Sequence, residues 1–446
     1  MNDSPLYDSL KSLENHNPLR FDMPGHHGKP LPYFSQSDWT SMDWTEHAIT
    51  GNLFYGGDVI ETAERRWADR WGADGCLFLT GGTTEGVHIA LHLCCNPGDT
   101  ILIDRGSHRS LWNGLSLLDI TPISIPRPWD ATKEIAGPMD PAEVEKLWNQ
   151  HPEAKALFVT SPSFYGITSD LKALADIAHR HGGRLIVDSA HGAHFPWVGL
   201  STPCEQGADV TIISAHKELP VPGQTSLLLY RNFESKNVRY VGSIYGSSSP
   251  SYIMMSATDR VRVWLDQSDA YYNLVNNIIP KFKEKLEKTT PFRVIQSDDP
   301  ARLVLSTKHT GSTGYKILEQ LEKEDIYLEM ADHSHLVMIT SCLDEESDFD
   351  RFLNVIRKLY PSEAAELPSL PLPPALPQRV CSLRTAMFSP KEIYPLQDST
   401  GMIAAEDVTP YPPGIPVIAP GERIEKKHLE YLQKIEYNSP ITVIKV

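Results

Sequence analysis

Residues 184–217 read RLIVDSAHGAHFPWVGLSTPCEQGADVTIISAHK, a stretch with two short apolar runs that each end in polar residues. Arg184–Asp188 and Val210–Ser214 are predicted strands, because they are short, apolar and bounded by turn residues. The first run ends in Asp188, and Lys217 follows the second. In an open parallel sheet, ligands bind at the carboxyl ends of the strands. Since buried acidic and basic groups need partners, Asp188 and Lys217 are candidate site residues.

The same alternation continues on both sides of this stretch. The predicted strands are Cys76–Thr80, Ile101–Asp104, Ala156–Thr160, Arg184–Asp188, Val210–Ser214 and Ser226–Tyr230. The predicted helices are Thr62–Trp71, which precedes the first strand and stops at Gly72, and Thr83–Cys95 and Asp170–His181, which lie between strands. Continuously apolar strands flanked by helices are typical of a mainly parallel sheet that is buried on both faces. The sequence therefore predicts an α/β fold.

The remainder of the chain divides into smaller segments. A long helix is predicted over Tyr271–Lys288, and LPSLPLPPALPQ at 367–378 has five prolines in twelve residues. Such a proline-rich run is typical of a semi-rigid linker. We therefore expect an N-terminal arm, a large domain, a small α/β domain, the linker and a C-terminal domain, with the bounds 1–56, 57–285, 286–366, 367–378 and 379–446.

The composition argues against several classes of protein. Of 446 residues, 57 are acidic and 41 basic, which gives a net charge of −16 without a basic run, so nucleic-acid binding is not expected. No run approaches the roughly 18 apolar residues that span a bilayer, and the N-terminus lacks a secretory signal pattern. The six cysteines show no CxxC pair, which indicates reduced thiols. We expect a cytoplasmic enzyme that does not bind membranes.

A candidate anion site follows the first of the predicted strands. Residues 81–84 read GGTT and open a helix, whose N-terminal N–H groups suit a phosphate, although a plain capped helix explains these residues equally well. His108, after the next strand, fits a helix cap better than a site when taken alone. Combined with Asp188 and Lys217, however, GGTT supplies what pyridoxal phosphate (PLP) requires: a phosphate site, a carboxylate for the pyridine nitrogen and a Schiff-base lysine.

Eight motifs resemble those of the Orn/Lys/Arg decarboxylase family and occur in the family's order. They are MPGHHG (23–28), DWTEH (43–47), FLTGGTTEG (78–86), DRGSHRS (104–110), VDSAHGAHF (187–195), SAHKELPVPGQTS (214–226), SSSPSY (247–252) and TPYPPGIPVIAPGE (409–422). Together they extend over almost the whole chain, so the sequence is identified as similar to this family.

The resemblance implies the aspartate-aminotransferase-like fold of PLP enzymes, fold type I, and decarboxylation of arginine, lysine or ornithine to the amine and CO2. It implies that Lys217 binds PLP, that Asp188 pairs with the pyridine nitrogen and that His108 stacks on the ring. The residues implied on the opposite ring face and around the phosphate are Ala190, Gly82, Thr83, Thr84, Ser214 and His216. Lys217, His216 or His191 is expected to return the proton to Cα.

The resemblance also implies a homodimer with its active site at the interface, where Ser249 reaches the phosphate of the neighbouring subunit. Because MPGHHG begins at Met23, we expect the short form of the family, which lacks the N-terminal wing domain and forms dimers or tetramers. Glu406, in the C-terminal segment, is the candidate partner for the distal cation of the substrate. No metal is expected.

Several alternatives remain open from the sequence. Gly51, Ser189 and Thr385 depart from the family pattern, which leaves the preferred basic amino acid undecided and admits a non-catalytic relative. Another fold-type-I reaction, transamination or aldol cleavage, would use the same cofactor residues. A metal-dependent hydrolase is a further alternative, because possible metal ligands occur at suitable spacing: His88, His92, Asp188, His191 and His194.

Overall fold

The computed structural model describes residues 4–35, 38–410, 416–435 and 437–445. Its strands are β1 (Leu19–Phe21), β2 (Gly75–Leu79), β3 (Thr100–Asp104), β4 (Thr121–Ile125), β5 (Trp129–Asp130), β6 (Ile135–Ala136), β7 (Ala156–Thr160), β8 (Arg184–Asp188), β9 (Val210–Ile213), β10 (Ser226–Tyr230), β11 (Arg293–Ile295), β12 (Arg302–Ser306), β13 (Ile326–Leu328), β14 (Met330–Ala331), β15 (His335–Ile339), β16 (Lys391–Tyr394) and β17 (Ile441–Ile444).

The α-helices separate these strands along most of the chain. They are α1 (Pro5–Asn15), α2 (Asp38–Ser41), α3 (Val59–Trp71), α4 (Gly82–Cys94), α5 (Arg109–Leu118), α6 (Pro141–Gln150), α7 (Leu171–Arg180), α8 (Ala215–Glu218), α9 (Ser235–Tyr245), α10 (Tyr252–Asp266), α11 (Ala270–Asn273), α12 (Ile279–Thr289), α13 (Gly314–Glu322), α14 (Glu346–Leu359), α15 (Leu383–Phe388) and α16 (Lys426–Lys434). Short 3-10 turns lie at Phe195–Trp197 and Leu396–Asp398.

The large sheet of the described residues has the strand order β2-β10-β9-β8-β7-β3-β4. Its neighbours from β9 to β4 pair in parallel, whereas β10 is antiparallel to both β9 and β2. Because β2 therefore runs in the same direction as β9, the strands other than β10 all end at one edge of the sheet. This arrangement confirms the predicted α/β fold with a mainly parallel sheet.

Both faces of the large sheet are covered by apolar packing. Along β7, Ala156 and Phe158 belong to one core cluster, and Leu157 and Val159 belong to the cluster on the other face. This alternation is expected of a strand in which successive side chains point to opposite faces. It also explains why the strand reads as a continuously apolar run in the sequence.

The predicted elements of the large sheet are confirmed to within one residue at each strand end. The predicted end of α3 is also confirmed, because Gly72 has a φ of 66°, a left-handed conformation that glycine adopts without steric penalty. Strand β4 was not predicted. It lies at the sheet edge and contains Pro122, a residue that weakens a strand pattern but is tolerated at an edge.

The long helix predicted over Tyr271–Lys288 requires a correction. Helical structure is present from α11 through α12, but the turn at Leu274–Ile278 is a π-turn. Pro280 follows immediately, and a proline inside a helix lacks the N–H for the regular hydrogen bond and clashes with the carbonyl four residues earlier. The Asn276 side-chain amide donates to the carbonyl of Tyr272 at 2.9 Å within this irregular segment.

A second sheet, β11-β12-β15-β14, follows in the chain and is antiparallel. Strand β1 pairs in parallel with β13, which places the residues after β1 next to those after β13. Farther along, β16 and β17 pair antiparallel, and β17 contributes Ile441 and Val443 to a separate apolar cluster that includes Ile418, Leu429 and Leu432. The N-terminal strand is thus tied to a segment about 300 residues away in the sequence.

Helix α4 packs closely against the large sheet at Gly86. A Cβ at this position would lie 2.7 Å from Leu79 Cδ1 and 2.8 Å from Ile212 Cγ2. We predict that Gly86→Val lowers the free energy of unfolding by about 1–3 kcal/mol, because overpacking displaces core side chains. Urea denaturation followed by circular dichroism measures this loss.

The matched control for Gly86→Val is Asn149→Val, which places the same β-branched side chain at an exposed position of α6. Asn149→Val should change the urea midpoint much less. Equal losses in the two variants would contradict the close packing described for α4.

Candidate active site

A cavity of about 670 Å³ opens at the edge where the parallel strands end. Its lining includes most of the residues that the sequence singled out: Gly82, Thr83, Thr84, His108, Asp188, Ala190, His191, Ser214, His216 and Lys217. These residues follow β2, β3, β8 and β9, so the sheet topology is what brings them together. The volume is within the range of small-molecule sites in proteins.

The GGTT segment forms a cradle with the geometry that suits a phosphate. Gly82 has a φ of 75° and begins α4, so the first turn of the helix faces the cavity with N–H groups that have no helical partner. On the opposite side of the cradle, the Nδ1 of His216 lies 3.0 Å from the carbonyl of Thr225 and 3.1 Å from Ser214 Oγ. Since a carbonyl only accepts, His216 donates from Nδ1.

Asp188 is 4% exposed and lies at the carboxyl end of β8. Its carboxylate accepts a hydrogen bond from the Ala190 N–H at 3.1 Å. Burial raises the pKa of Asp188, and the nearby Lys217 acts in the opposite direction. A buried carboxylate with a single protein donor has room for a further cationic donor, and the protonated nitrogen of a pyridine ring has this character.

Lys217 lies in the short helix α8, directly after β9. Its Nζ is 3.1 Å from His191 Nε2 and 5.7 Å from the ring centre of Phe164. Desolvation lowers the pKa of Lys217 from its usual range. The carboxylates that act in the opposite direction are Asp188, Glu329 and Glu218. A lysine with a lowered pKa is a better nucleophile near neutral pH, because more of it is the neutral amine.

His108 has two structural roles. As the N-cap of α5, its Nδ1 accepts hydrogen bonds from the backbone N–H of Ser110 at 3.3 Å and from the Ser110 hydroxyl at 2.9 Å. The same ring lines the cavity. The cap interpretation and the site interpretation of this histidine are therefore compatible. The cap also fixes the orientation of the ring.

Two of the predicted site residues do not line the cavity within the described chain. Glu406 is exposed and its carboxylate pairs with Lys391 Nζ at 3.0 Å. Asp407 and Thr409, just beyond it, line the cavity instead. Ser249 is exposed in the segment that follows α9. Part of the C-terminal motif, residues 411–415, lies outside the described residues.

The structure adds cavity residues that the sequence analysis missed. Phe164 and Tyr165 follow β7, and Glu329 lies between β13 and β14. The Glu329 carboxylate accepts the Met23 N–H at 3.2 Å, and burial raises its pKa. An acidic residue directly after a predicted strand is the signal that could have identified Glu329. Strand β13 is only three residues long, however, so the sequence shows little strand pattern before this residue.

The three departures from the family pattern are not part of the cavity lining. At Gly51, φ is 83° and an added Cβ would lie 2.5 Å from the Asp58 carboxylate, so this position favours glycine. Ser189 is buried beside the site, and Thr385 donates its N–H to the N-cap Ser382.

The possible metal ligands are placed in different surroundings. His88 and His92 both pack against Tyr245, with ring centres 6.0 and 5.7 Å away. His191 contacts Lys217, and His194 contacts Asp299 at 2.9 Å. In the part of the chain that the structure describes, no three His, Cys, Asp or Glu side chains gather into a group that could hold a metal ion.

Comparison with known proteins gives consistent matches along the chain. The Orn/Lys/Arg decarboxylase major domain matches residues 4–303, and the C-terminal domain of the same family matches residues 373–439. Arginine decarboxylases of Halalkalibacterium halodurans and of Bacillus subtilis are each 28% identical, over 97% of this chain and 93% of their own length. Lysine decarboxylase A of Pseudomonas aeruginosa has a similar structure, with a TM-score of 0.78 at 16% identity over 91% of this chain and 74% of its own.

The comparisons establish the fold as that of PLP enzymes of fold type I. Across the described ranges, the helices are too short or too polar to span a lipid bilayer.

The burial of Asp188 makes a testable contribution to stability. Its pKa is raised above the ordinary value of 3.8, so the ionised side chain destabilises the folded, cofactor-free chain above both pKa values. We predict that Asp188→Asn raises the urea midpoint of this chain near neutral pH. The gain should shrink as the pH falls toward the ordinary value of 3.8, because the raised pKa means that the folded chain binds the Asp188 proton before the unfolded chain does.

Asp176→Asn, at an exposed position of α7, is the control for Asp188→Asn and should leave the midpoint nearly unchanged. A lower midpoint for Asp188→Asn near neutral pH would show that Lys217 stabilises the ionised form more than burial opposes it.

Proposed function

This chain belongs to the Orn/Lys/Arg decarboxylase family, and from this membership we propose that its substrate is arginine. The family assignment makes it a PLP-dependent decarboxylase that converts a basic amino acid to the amine and CO2. Arginine is preferred over lysine and ornithine because the two relatives compared above, each 28% identical, are named arginine decarboxylases, whereas a relative named as a lysine decarboxylase is 23% identical.

The observation that carries this proposal is the convergence of a lysine, a buried carboxylate and a phosphate cradle in one cavity. PLP fits these residues, and when bound it supplies an electron sink for the electron pair left on Cα as CO2 departs. Lys217 would bind it covalently, Asp188 would face its ring nitrogen, and His108 and Ala190 would lie on its two faces. The residues that would hold its phosphate are Gly82, Thr83, Thr84, Ser214 and His216.

The surroundings of each base favour Lys217 as the group that returns the proton to Cα. His216 donates from Nδ1 to the carbonyl of Thr225, which fixes its ring beside the phosphate cradle. His191 lines the cavity, but its Nε2 is engaged with Lys217 Nζ at 3.1 Å. Lys217 is therefore proposed to carry the proton, while Asp188 keeps the cofactor ring nitrogen protonated.

The distal cation of the substrate is proposed to bind at Glu329 and Asp407 rather than at Glu406. Both side chains line the cavity, whereas Glu406 pairs with Lys391. Among the described residues, the Glu329 carboxylate accepts the Met23 N–H and forms no ion pair within 4.0 Å, and the Lys217 and Arg302 cations lower its pKa only from a greater distance. Because a partly buried carboxylate is unfavourable without a counter-charge, a guanidinium is a suitable partner for it.

We also propose a homodimer in the cytoplasm. Several large apolar side chains are exposed on the N-terminal arm, at the start of α3 and on α9, among them Tyr55, Val59, Tyr240 and Ile244. A patch of this kind is typical of a protein–protein interface. Ser249 is exposed after α9, and we propose that it takes part in this interface. The six cysteines are free thiols, which agrees with a reducing compartment.

The proposed reaction predicts CO2 release from arginine, and slower or no release from lysine and ornithine, when each is supplied with PLP. Lys217→Ala should reduce the rate by at least about 1,000-fold, as removal of a covalent catalytic group does in other enzymes. A carbon-14 carboxyl label measures the release, and Lys172→Ala, an exposed lysine of α7, is the control. Formation of a keto acid in place of CO2, or turnover by Lys217→Ala, would contradict the proposal.

The proposed cation site predicts a change in substrate binding. Glu329→Gln should raise the KM for arginine about 10- to 100-fold, because a charge-assisted hydrogen bond contributes about 1.5–3 kcal/mol. The matched control is Glu406→Gln, which removes a carboxylate of the same size outside the cavity and should change KM less than about two-fold. The reverse order of effects would favour Glu406 as the substrate partner.

A further inference from the structure

A chain of buried groups extends away from the cavity behind Lys217. His191 Nε2 lies 3.1 Å from Lys217 Nζ, and His191 Nδ1 lies 3.2 Å from Arg302 Nη2. The same Nη2 donates a hydrogen bond to the carboxylate of Glu218. Arg302 is 1% exposed and does not line the cavity. It is therefore separated from the proposed cofactor site by His191.

Arg302 comes from a different part of the fold than Lys217 and His191. It is the first residue of β12 in the second sheet. Gly166 leaves room for the aliphatic part of the Arg302 side chain. A Cβ added at Gly166 would lie 2.9 Å from Arg302 Cβ and 3.0 Å from Arg302 Cγ. Within the described chain, the Nε and Nη1 atoms of Arg302 have no hydrogen-bond partner. The contacts of this guanidinium are thus concentrated on Nη2.

The chemistry of these groups determines where the protons lie. A guanidinium only donates, and Nη2 carries two hydrogens, one for Glu218 and one for His191. His191 Nδ1 is then an acceptor, so the proton of the neutral imidazole is on Nε2. That proton points at Lys217 Nζ, which must accept it. An ammonium group has no lone pair and cannot accept a hydrogen bond.

We propose that Arg302 is a positioning residue, which fixes the tautomer of His191 so that its Nε2–H donates to Lys217 and holds this lysine as a neutral amine. The inference rests on the function proposed above and concerns the lysine before it bonds to the cofactor, a stage separate from its proposed return of a proton to Cα. A neutral amine is the form that attacks a carbonyl carbon and accepts a proton. The second sheet would in this way control the reactivity of a residue on the large sheet.

Other charged groups around Lys217 act on the same equilibrium. The carboxylates of Asp188, Glu329 and Glu218 favour the ammonium form, and the Arg302 guanidinium opposes it. His108 and His216 are also close enough to interact with Lys217. Burial and the neighbouring cations lower the pKa of His191, so the neutral ring assumed here is the favoured form. A competing arrangement, in which His191 Nδ1 donates to Glu218 Oε1, has a longer distance of 3.5 Å.

The test measures the lysine itself in the full-length chain freed of PLP. Trace acetylation with acetic anhydride over a range of pH, followed by mass spectrometry of the Lys217 peptide, gives the pH midpoint of its reactivity. Exposed Lys172 in the same digest is the internal reference. In the wild type, the Lys217 midpoint should lie at least about one pH unit below that of Lys172, which corresponds to about 1.4 kcal/mol.

The decisive variant is Arg302→Met combined with Glu218→Gln, which removes the donor without leaving an unpaired buried charge. Its Lys217 midpoint should rise by about one unit, a roughly tenfold loss of labelling near neutral pH. Arg302→Lys keeps a charged donor and should restore most of the wild-type midpoint. Glu218→Gln alone is the matched control and should not raise the midpoint.

Introducing the same pair of changes in a His191→Phe background tests whether Arg302 acts through the imidazole. In that background, the rise of the Lys217 midpoint should be less than about half of the rise seen with His191 present, because the effects of contacting residues are coupled. A full shift in that background, or a midpoint in the wild type equal to that of Lys172, would overturn the proposal. The comparison of Lys217 with Lys172 is made in the wild type, so it does not depend on the folding of any variant. CO2 release is not measured here, so failure would leave the proposed reaction standing.

Discussion

The desolvated amine of Lys217 is the constraint on which the arrangement of this protein depends. A lysine at the end of a buried strand is unfavourable unless other groups balance its charge, and groups from several parts of the chain do so. Asp188 and Glu218 come from the large sheet and its following helix, and Glu329 comes from the link between β13 and β14. His191 contacts the amine directly. The charged groups around Lys217 therefore come from several segments of the chain, and no single segment could provide all of them.

Close backbone packing holds these segments in place. Gly25, in the N-terminal MPGHHG motif, donates its N–H to the carbonyl of His216 at 2.8 Å, and a Cβ on it would lie 2.8 Å from the carbonyl of Glu218. Arg105 reaches the C-terminal segment, where two of its nitrogens each donate to Glu422 at 2.8 Å. Motifs at the two ends of the chain thus pack onto the segments that follow β9 and β3. These motifs are far apart in the sequence because segments that are distant along the chain pack together around one site.

The large sheet was predicted well because its signals are local. Strands β7, β8 and β10 have the predicted bounds, since a strand buried on both faces reads as a continuous apolar run. Edge strand β4, with Pro122, and the π-turn before Pro280 were missed. In both places a proline disrupts the strand or helix pattern of the sequence, while contacts with the surrounding fold still hold the segment in its strand or helix. Lys217 and Asp188 were found because each directly follows such a strand. Arg302 was missed, as it lies 111 residues from the histidine it contacts.

The sequence by itself determined the fold class, the family and the cofactor, because each depends on short motifs whose residues are neighbours in the chain. Tertiary structure decided which carboxylates line the cavity, since Glu329 follows β13, a strand held in place by pairing with the distant β1. It also separated Asp407 from Glu406, adjacent residues with the same charge and different surroundings. The proton positions on His191 and Lys217 depend on Arg302 across the two sheets, and hydrogen-bond direction is a property of three-dimensional contacts alone.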